Sequence, residues 1–339
     1  VKDSSYSTNT QLKKLRQKPD ENQEKITEYE MALKGNYEFL KFFLNFVCES
    51  IKPGSKYPQL QLSYHFLDVL VASGLDKQVS HISNLHNSKS MVKEVNSKTI
   101  YPFDIAIYSQ LMIQLLINNV SNNYEDIREA SVNLLLSCPD EKLHAIVTQK
   151  AFLLEYSIPV LYELKGRKSE GGARLVQFIA QAVSRFDQVA IQNICDNLLQ
   201  HIEDAFEQPL TKDILSPPIN DRVQGFFTAL RLVFLTIDSK SLEDPFWPAF
   251  VSRILNQYPR LWQNVRPILS NDKEDLNEDN DRISLTLSWK LVKESASLLQ
   301  TILKLSYTMP QLLKRDDFLT SVDIVIDQLS SVYHRGAFS

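Results

Sequence analysis

The sequence predicts an all-α protein, an α-solenoid of armadillo- or HEAT-like helical repeats. Glycine is rare, at 8 of 339 residues, about a third of its average usage, and helices joined by short turns need few glycines. The apolar segments show helical periodicity, and none shows the alternating pattern with hairpin turns that is typical of strands. Similar helical segments also recur at intervals close to those of HEAT and armadillo repeats. An irregular all-α fold is the alternative.

Two regions are expected along the chain, a polar segment over residues 1–30 and a helical-repeat region over residues 31–339. The first region has almost no large apolar residues, which indicates a flexible segment or a surface helix. Apolar periodicity then predicts helices over 37–51, 60–75 and 104–120. The first two of these end beside a proline or a glycine, both of which commonly terminate helices.

The segment YEDIREASVNLLLSCP, residues 124–139, predicts the second helix of a HEAT-type repeat. In this helix Asp126 can cap the N-terminus, and Arg128 is expected to face outward. The predicted apolar stripe consists of Ile127, Ala130, Leu134 and Leu135. Similar helix starts recur near residue 170, at Asn220 and at Asn280.

Two charged segments are predicted to be solvated loops. The segment LKGRKSEGG, residues 164–172, places Arg167 and Lys168 on a flexible connection. The segment NDKEDLNEDND, residues 271–281, is strongly acidic.

No catalytic or cofactor-binding motif is visible. The P-loop, G-x-S-x-G and H-E-x-x-H patterns are absent, and the one glycine cluster, KGRKSEGGARL, follows no predicted strand. No histidine or cysteine pair has the spacing of a structural zinc site. We therefore expect no catalytic residue, no cofactor and no metal in this chain.

The overall composition favours a folded protein of a reducing compartment, expected to be cytoplasmic. The cysteines, Cys48, Cys138 and Cys195, are scattered and odd in number, and each is predicted to be a buried small hydrophobe. The net charge is −4, whereas a dedicated nucleic-acid-binding domain is usually basic. No apolar run approaches the ~18 residues of a membrane span. The chain begins VKDSS, without methionine, and is expected to be a fragment of a longer protein.

The segment LTLSWKLVKESASLLQTIL, residues 285–303, predicts an amphipathic helix with Trp289 in its buried seam. Lys293 and Glu294 are expected to lie largely outside that seam. The seam residues are Leu285, Trp289, Val292, Ala296, Leu299 and Leu303.

The segment VDIVIDQLSSVYHRGAFS, residues 322–339, predicts a further helix. His334 and Arg335 are expected in its last turn, where positive charge is favourable for the helix dipole. Gly336 would then permit a sharp turn.

Together these two segments resemble the THADA family, which includes the fungal auxiliary subunit of the tRNA anticodon-loop 2′-O-ribose methyltransferase. The resemblance consists of W-[K/R]-x-x-K-E-x-x-x-L-L, followed by a helix ending in H-R-G-A-F. The matching residues are Trp289, Lys293, Glu294, Leu298, Leu299, His334, Arg335, Gly336, Ala337 and Phe338.

The resemblance implies a helical-repeat targeting subunit without its own active site. Such a subunit would bind a Rossmann-fold tRNA ribose methyltransferase, which would carry S-adenosylmethionine, and would position the tRNA anticodon stem-loop for methylation of nucleotide 32. Candidate contacts to RNA or to the partner are Arg167, Lys168, Lys293, Glu294, His334 and Arg335. The alternative is a HEAT-repeat adaptor that binds only proteins, which the acidic net charge favours slightly. No membrane contact is expected.

Overall fold

The fold was analysed in a computed structural model, which describes residues 1–79, 100–207, 222–270 and 279–332. Within these ranges every regular element is an α-helix or a short 3₁₀-helix. The all-α prediction is therefore confirmed for the described residues, while the armadillo or HEAT type of the repeat stays a prediction.

The first of two compact units comprises Val1–Leu143. Its helices are α1 (Lys2–Leu15), α2 (Pro19–Ser50), α3 (Tyr57–Ala72), α4 (Gln110–Val120) and α5 (Glu125–Leu136). A further helix, α6 (Asp140–Val147), begins in this unit and runs past its last residue. Residue 30, where the sequence suggested a division, lies within α2, and the predicted division stays a prediction.

Residues 1–30 form surface helices. Helix α1 packs against α2, and this contact buries Leu12 and Ile26. An exposed ion pair, with 2.6 Å between Arg16 Nη2 and Glu30 Oε1, also joins the two helices. A few apolar residues are sufficient here because they lie at the helix–helix contact.

The helices predicted over 37–51 and 60–75 are present as the last part of α2 and as α3. The helix predicted over 104–120 begins later, at Gln110. Its start is set by Ser109, whose Oγ accepts a hydrogen bond from a backbone N–H of the first turn at 3.2 Å.

The expectation that Arg128 faces outward is wrong. Its side chain is only 2% exposed, and Nη1 donates a hydrogen bond to the Asn122 carbonyl oxygen at 2.9 Å. The guanidinium thus bonds a backbone oxygen of the preceding turn in its buried position. Asp126 also differs from the prediction, because its carboxylate accepts a hydrogen bond from Tyr57 Oη at 2.7 Å instead of capping α5. Most of the predicted stripe is buried, namely Ile127, Leu134 and Leu135.

The second compact unit comprises His144–Ser339. Its helices are α7 (Lys150–Leu161), α8 (Gly166–Ser184), α9 (Gln188–Glu207), α10 (Gln224–Phe234), α11 (Phe246–Leu255), α12 (Gln257–Leu269), α13 (Asp279–Thr308) and α14 (Arg315–Ser331). Helix α8 packs against α7, α9 and α10, and α10 also packs against α13. The core of the unit therefore lies around α8 and α10.

Parts of the two charged segments of this unit that were predicted to be loops are helical. Helix α8 begins at Gly166, so most of 164–172 is helical and not a flexible connection. Helix α13 begins at Asp279, within the predicted acidic loop 271–281. The rest of that loop, 271–278, lies outside the described residues.

The prediction for the cysteines is confirmed, because Cys48, Cys138 and Cys195 are all buried and none forms a disulfide bond. Burial raises the pKa of the Cys48 and Cys195 thiols. These two side chains are therefore neutral, inert core residues.

Two glycines let the helices of the second unit approach closely at the end of α7. A Cβ atom added at Gly225 on α10 would lie 2.3 Å from the carbonyl oxygen of Leu161. A Cβ atom added at Gly172 on α8 would lie 3.1 Å from a side-chain methyl of Val160. The first distance is impossible without movement of the backbone, so α10 can reach α7 only with glycine at position 225.

We predict that Gly225→Ala destabilises the second unit by about 1–3 kcal/mol, the usual cost of overpacking a rigid contact. The oxygen that the new methyl group would meet belongs to the backbone, so no side-chain rotation relieves the clash. Urea unfolding monitored by circular dichroism measures the effect.

Gly35→Ala is the matched control. Gly35 lies in the interior of α2, and nothing lies within 4 Å of an added Cβ. The same substitution should therefore stabilise the protein by up to about 1 kcal/mol through helix propensity. Equal effects of the two substitutions would contradict the close approach at Gly225.

Candidate functional site

The turn that joins α7 to α8, residues 162–165, is held by side chains of several other helices. The Tyr162 hydroxyl lies 2.9 Å from Nδ1 of His201 on α9. The ring of Tyr162 also packs edge-on against Phe226 of α10, with 4.7 Å between the centroids. These contacts connect the start of the turn to α9 and to α10.

The next two residues of this turn are held through their backbone carbonyls. The Gln224 Nε2 of α10 donates a hydrogen bond to the Glu163 carbonyl oxygen at 3.3 Å. The Lys290 Nζ of α13 donates a hydrogen bond to the Leu164 carbonyl oxygen at 3.2 Å. Carbonyls that follow a helix C-terminus lack helical partners, and these two donors supply them.

The Lys290 contact brings two basic segments together. Lys165, Arg167 and Lys168 follow the held carbonyl directly and are exposed, and Lys293 lies one turn after Lys290 on α13. We call these residues the α7–α8 basic surface: Lys165, Arg167, Lys168, Lys290 and Lys293. Three of the contact candidates from the sequence, Arg167, Lys168 and Lys293, thus belong to one surface.

The ion pair of Lys168 neutralises little of this surface. Lys168 Nζ lies 3.7 Å from Glu163 Oε1, but both side chains are about half exposed, so the pair contributes little to stability. Helix α8 has no acidic residue in its first turn. Its positive dipole end therefore adds to the charge of Arg167 and Lys168.

Trp289 does not occupy the core position that the sequence predicted. It is half-buried, and Lys293 Nζ lies over its ring at 5.7 Å from the centroid, close enough for a cation–π interaction. In the predicted seam Ala296 is exposed, and only Val292 and Leu299 are buried.

The observed seam of α13 is rotated from the predicted one and includes buried serines. Ser288 and Ser295 are 6% and 1% exposed, and the Ser295 carbonyl accepts a hydrogen bond from Tyr258 Oη of α12. Small polar residues allow neighbouring helices to approach, and the predicted seam, which was built from apolar residues, did not include them. The large apolar residues of the observed seam are Leu287, Leu291, Leu298 and Ile302.

Glu294 contributes to packing between helices. Its Oε2 accepts a hydrogen bond from Thr228 Oγ1 of α10 at 2.9 Å. Glu294 and Lys290 therefore both join α13 to other elements of the unit, although the sequence pattern placed Glu294 outside the seam.

The remaining sequence candidates, His334 and Arg335, follow helix α14 in the sequence. Helix α14 ends at Ser331, and Val332 has an extended backbone with φ −89° and ψ 123°. The prediction that His334 and Arg335 lie in the last turn of a helix falls on residues that the structure does not describe. The H-R-G-A-F residues themselves, His334, Arg335, Gly336, Ala337 and Phe338, lie outside the described residues.

The described fold and the α7–α8 basic surface define an all-α helical-repeat protein with a local concentration of positive charge. Two family models match its sequence. Residues 1–129 match the family described as Trm732, TPR repeats, and residues 249–339 match the family described as THADA/TRM732, DUF2428. Both are families of THADA/Trm732 proteins, so the two ends of this chain match segments of that family.

A curated relative agrees with this assignment. The chain is 23% identical over 328 residues to a protein of Schizosaccharomyces pombe named tRNA (32-2′-O)-methyltransferase regulator trm732. The alignment covers 89% of this chain but only 21% of the relative, so the chain spans about a fifth of the relative's length. No solved structure matches the chain. Among the residues that the structure describes, no helix is both long and apolar enough to cross a membrane.

We predict that the second unit loses stability in mild acid because of His201. Burial lowers the pKa of His201 below its ordinary value of 6.5, although Asp204 acts in the opposite direction. The unfolded chain therefore binds the proton more readily than the folded chain. Stability should fall as the pH is lowered from about 6.5 and should level off below the folded-state pKa.

Urea unfolding between pH 7.5 and pH 4.5 would measure this dependence. His201→Gln should remove the loss of stability that His201 causes in mild acid. His144→Gln, at an exposed position of the same unit, should retain that loss. An unchanged pH profile in His201→Gln would show that the contact between Tyr162 and His201 does not depend on a neutral imidazole.

Proposed function

We propose that this chain is part of a non-catalytic regulatory subunit of a tRNA 2′-O-ribose methyltransferase complex. In this role it binds the methyltransferase and positions the tRNA anticodon loop for methylation of nucleotide 32. The observation that carries the proposal is the similarity to the Schizosaccharomyces pombe methyltransferase regulator, which extends over 89% of this chain. The matches to two family models support the same assignment.

Catalysis and S-adenosylmethionine are assigned to a Rossmann-fold partner in the cytoplasm. A subunit that holds enzyme and substrate in one geometry turns a bimolecular encounter into an intramolecular step, which can account for several kcal/mol of the barrier. Such a role needs rigid surfaces and no reactive side chain.

The α7–α8 basic surface is the best candidate for the RNA contact. Its lysines and arginine can bind phosphate oxygens, and the planar guanidinium of Arg167 can bind them in a bidentate manner. The carbonyl bonds from Gln224 and Lys290 fix the turn that carries Lys165. Phosphate contacts of this kind fix the position of a nucleic acid without reading its sequence.

We predict that combined substitution of Arg167, Lys168 and Lys293 by alanine weakens tRNA binding of the full-length protein about tenfold or more at physiological salt. These side chains are exposed or half-buried, so the melting temperature should change little. Each lost phosphate contact should also reduce the slope of log Kd against log salt concentration by about 0.7–0.9. Filter binding of the tRNA at several salt concentrations measures both quantities.

Lys304→Ala is the control, because Lys304 is an exposed lysine of the same helix α13 outside the basic surface. It should retain the affinity and the salt dependence of the unaltered protein. Unchanged tRNA affinity in the triple variant would remove RNA contact from this surface. It would favour the protein-only adaptor, which the net charge of −4 also favours.

A further inference from the structure

The first unit exposes a row of aromatic side chains on α2. Phe39, Phe42 and Phe46 project from the helix within about 60° of one another, because their spacing is three and four residues. All three are exposed, and Phe42 is 66% exposed. Exposed apolar groups that lie together, unlike scattered ones, commonly mark an interaction site.

This row continues onto α3. Phe43 of α2 packs edge-on against Phe66 of α3, with 5.1 Å between the ring centroids. Beside Phe66 on the surface of α3, Leu62 and Val69 are exposed. The exposed side chains of α2 and α3 thus form one apolar surface, which we call the α2–α3 apolar surface: Phe39, Phe42, Phe46, Leu62 and Val69.

A cleft opens directly beside this surface. It lies between α3 and α5, has a volume of about 440 Å³, and includes Leu62 in its lining. Two carboxylates, those of Asp68 and Asp126, also line the cleft, and no lysine or arginine does so among the described residues. The cleft is therefore negatively charged at neutral pH.

The carboxylate of Asp68 is poorly compensated. Burial raises its pKa to about 6, although His65 on the same helix acts to lower it. The other titratable groups that face the cleft are Tyr64 and Asp126, and Asp126 already accepts a hydrogen bond from Tyr57 Oη at 2.7 Å. A positively charged side chain placed in the cleft would compensate both carboxylates.

We propose that the α2–α3 apolar surface and the adjoining cleft bind the methyltransferase subunit, through an apolar segment of that protein that inserts a lysine or arginine side chain between Asp68 and Asp126. Charge complementarity selects this occupant. The aspartates would repel the phosphates of RNA or of an anionic membrane, whereas apolar groups beside a carboxylate pair suit a protein segment that is both apolar and basic. The inference rests on the proposed function, because it names the site for the partner of that function.

Two substitutions in the full-length protein test the surface, with the purified methyltransferase subunit as the probe. Phe42→Asp removes an exposed aromatic group from the α2–α3 apolar surface, and Asp68→Asn removes a charge from the cleft. Each should raise the Kd for the methyltransferase about tenfold or more, measured by isothermal titration calorimetry. The affinity for tRNA should not change in either variant.

Asp68→Asn also separates a binding role from a structural one. Because the folded-state pKa of Asp68 is raised, its contribution to stability is most favourable below about pH 4 and is lost as the pH rises through about 6. The variant should therefore melt at a higher temperature than the unaltered protein at pH 7, while it binds the methyltransferase more weakly. A purely structural role would not produce this combination.

Tyr307→Asp is the matched control, since Tyr307 is an aromatic residue of α13 that is 89% exposed. It should bind the methyltransferase with the Kd of the unaltered protein. If Phe42→Asp lowers the melting temperature, Phe42 packs in the folded protein. The Kd of the Asp68→Asn variant is then the measurement that tests the proposed surface. An unchanged Kd in Asp68→Asn would overturn the proposed surface while the proposed function stands. Failure of the unaltered full-length protein to bind the methyltransferase would instead overturn the proposed function.

Discussion

The contact of α10 with the end of α7 is the constraint on which the second unit depends. With any side chain larger than that of glycine at position 225, a Cβ atom would lie 2.3 Å from the Leu161 carbonyl oxygen. This close approach lets Phe226 reach the ring of Tyr162, and Gln224 reach the Glu163 carbonyl. Helix packing, aromatic contact and backbone capping thus converge on a single turn.

That convergence explains how a turn can serve as a binding surface. The residues that approach a ligand are commonly on loops, but a loop positions charge accurately only when its backbone is fixed. Here Lys290 fixes the Leu164 carbonyl from α13 at 3.2 Å, immediately before Lys165 and the first turn of α8. Lys293 lies one turn further along α13. The charge of the α7–α8 basic surface is therefore a consequence of the packing of the unit.

Much of the fold could be predicted from the sequence, because helical periodicity and low glycine content depend on local physics. The wrong predictions concern how deeply particular residues are buried. They share one cause, because the burial of these residues depends on neighbours that only the fold supplies. Arg128 is buried because a backbone carbonyl accepts its hydrogen bond, and Ser295 is buried because it is small. Trp289 is only half-buried because the seam of α13 is centred on other residues. None of these outcomes can be read from hydrophobicity alone.

The candidate site could be predicted only in part. Arg167, Lys168 and Lys293 stood out as charges, but their association depends on a bond between residues 126 positions apart. No spacing in the sequence reports that bond. Gly225 lies in a segment that resembles the start of a repeat helix. Nothing in the neighbouring sequence indicates that its hydrogen faces a carbonyl oxygen. Such a contact between distant helices becomes visible only in the folded unit.

Ultraviolet cross-linking of the full-length protein to its tRNA, with the cross-linked peptides identified by mass spectrometry, tests most directly whether the held turn is the RNA contact. The prediction is that cross-links concentrate in peptides containing residues 162–168 and 289–293, and that they disappear in high salt. Cross-links confined to other peptides, in a protein that binds the tRNA with undiminished affinity, would contradict it.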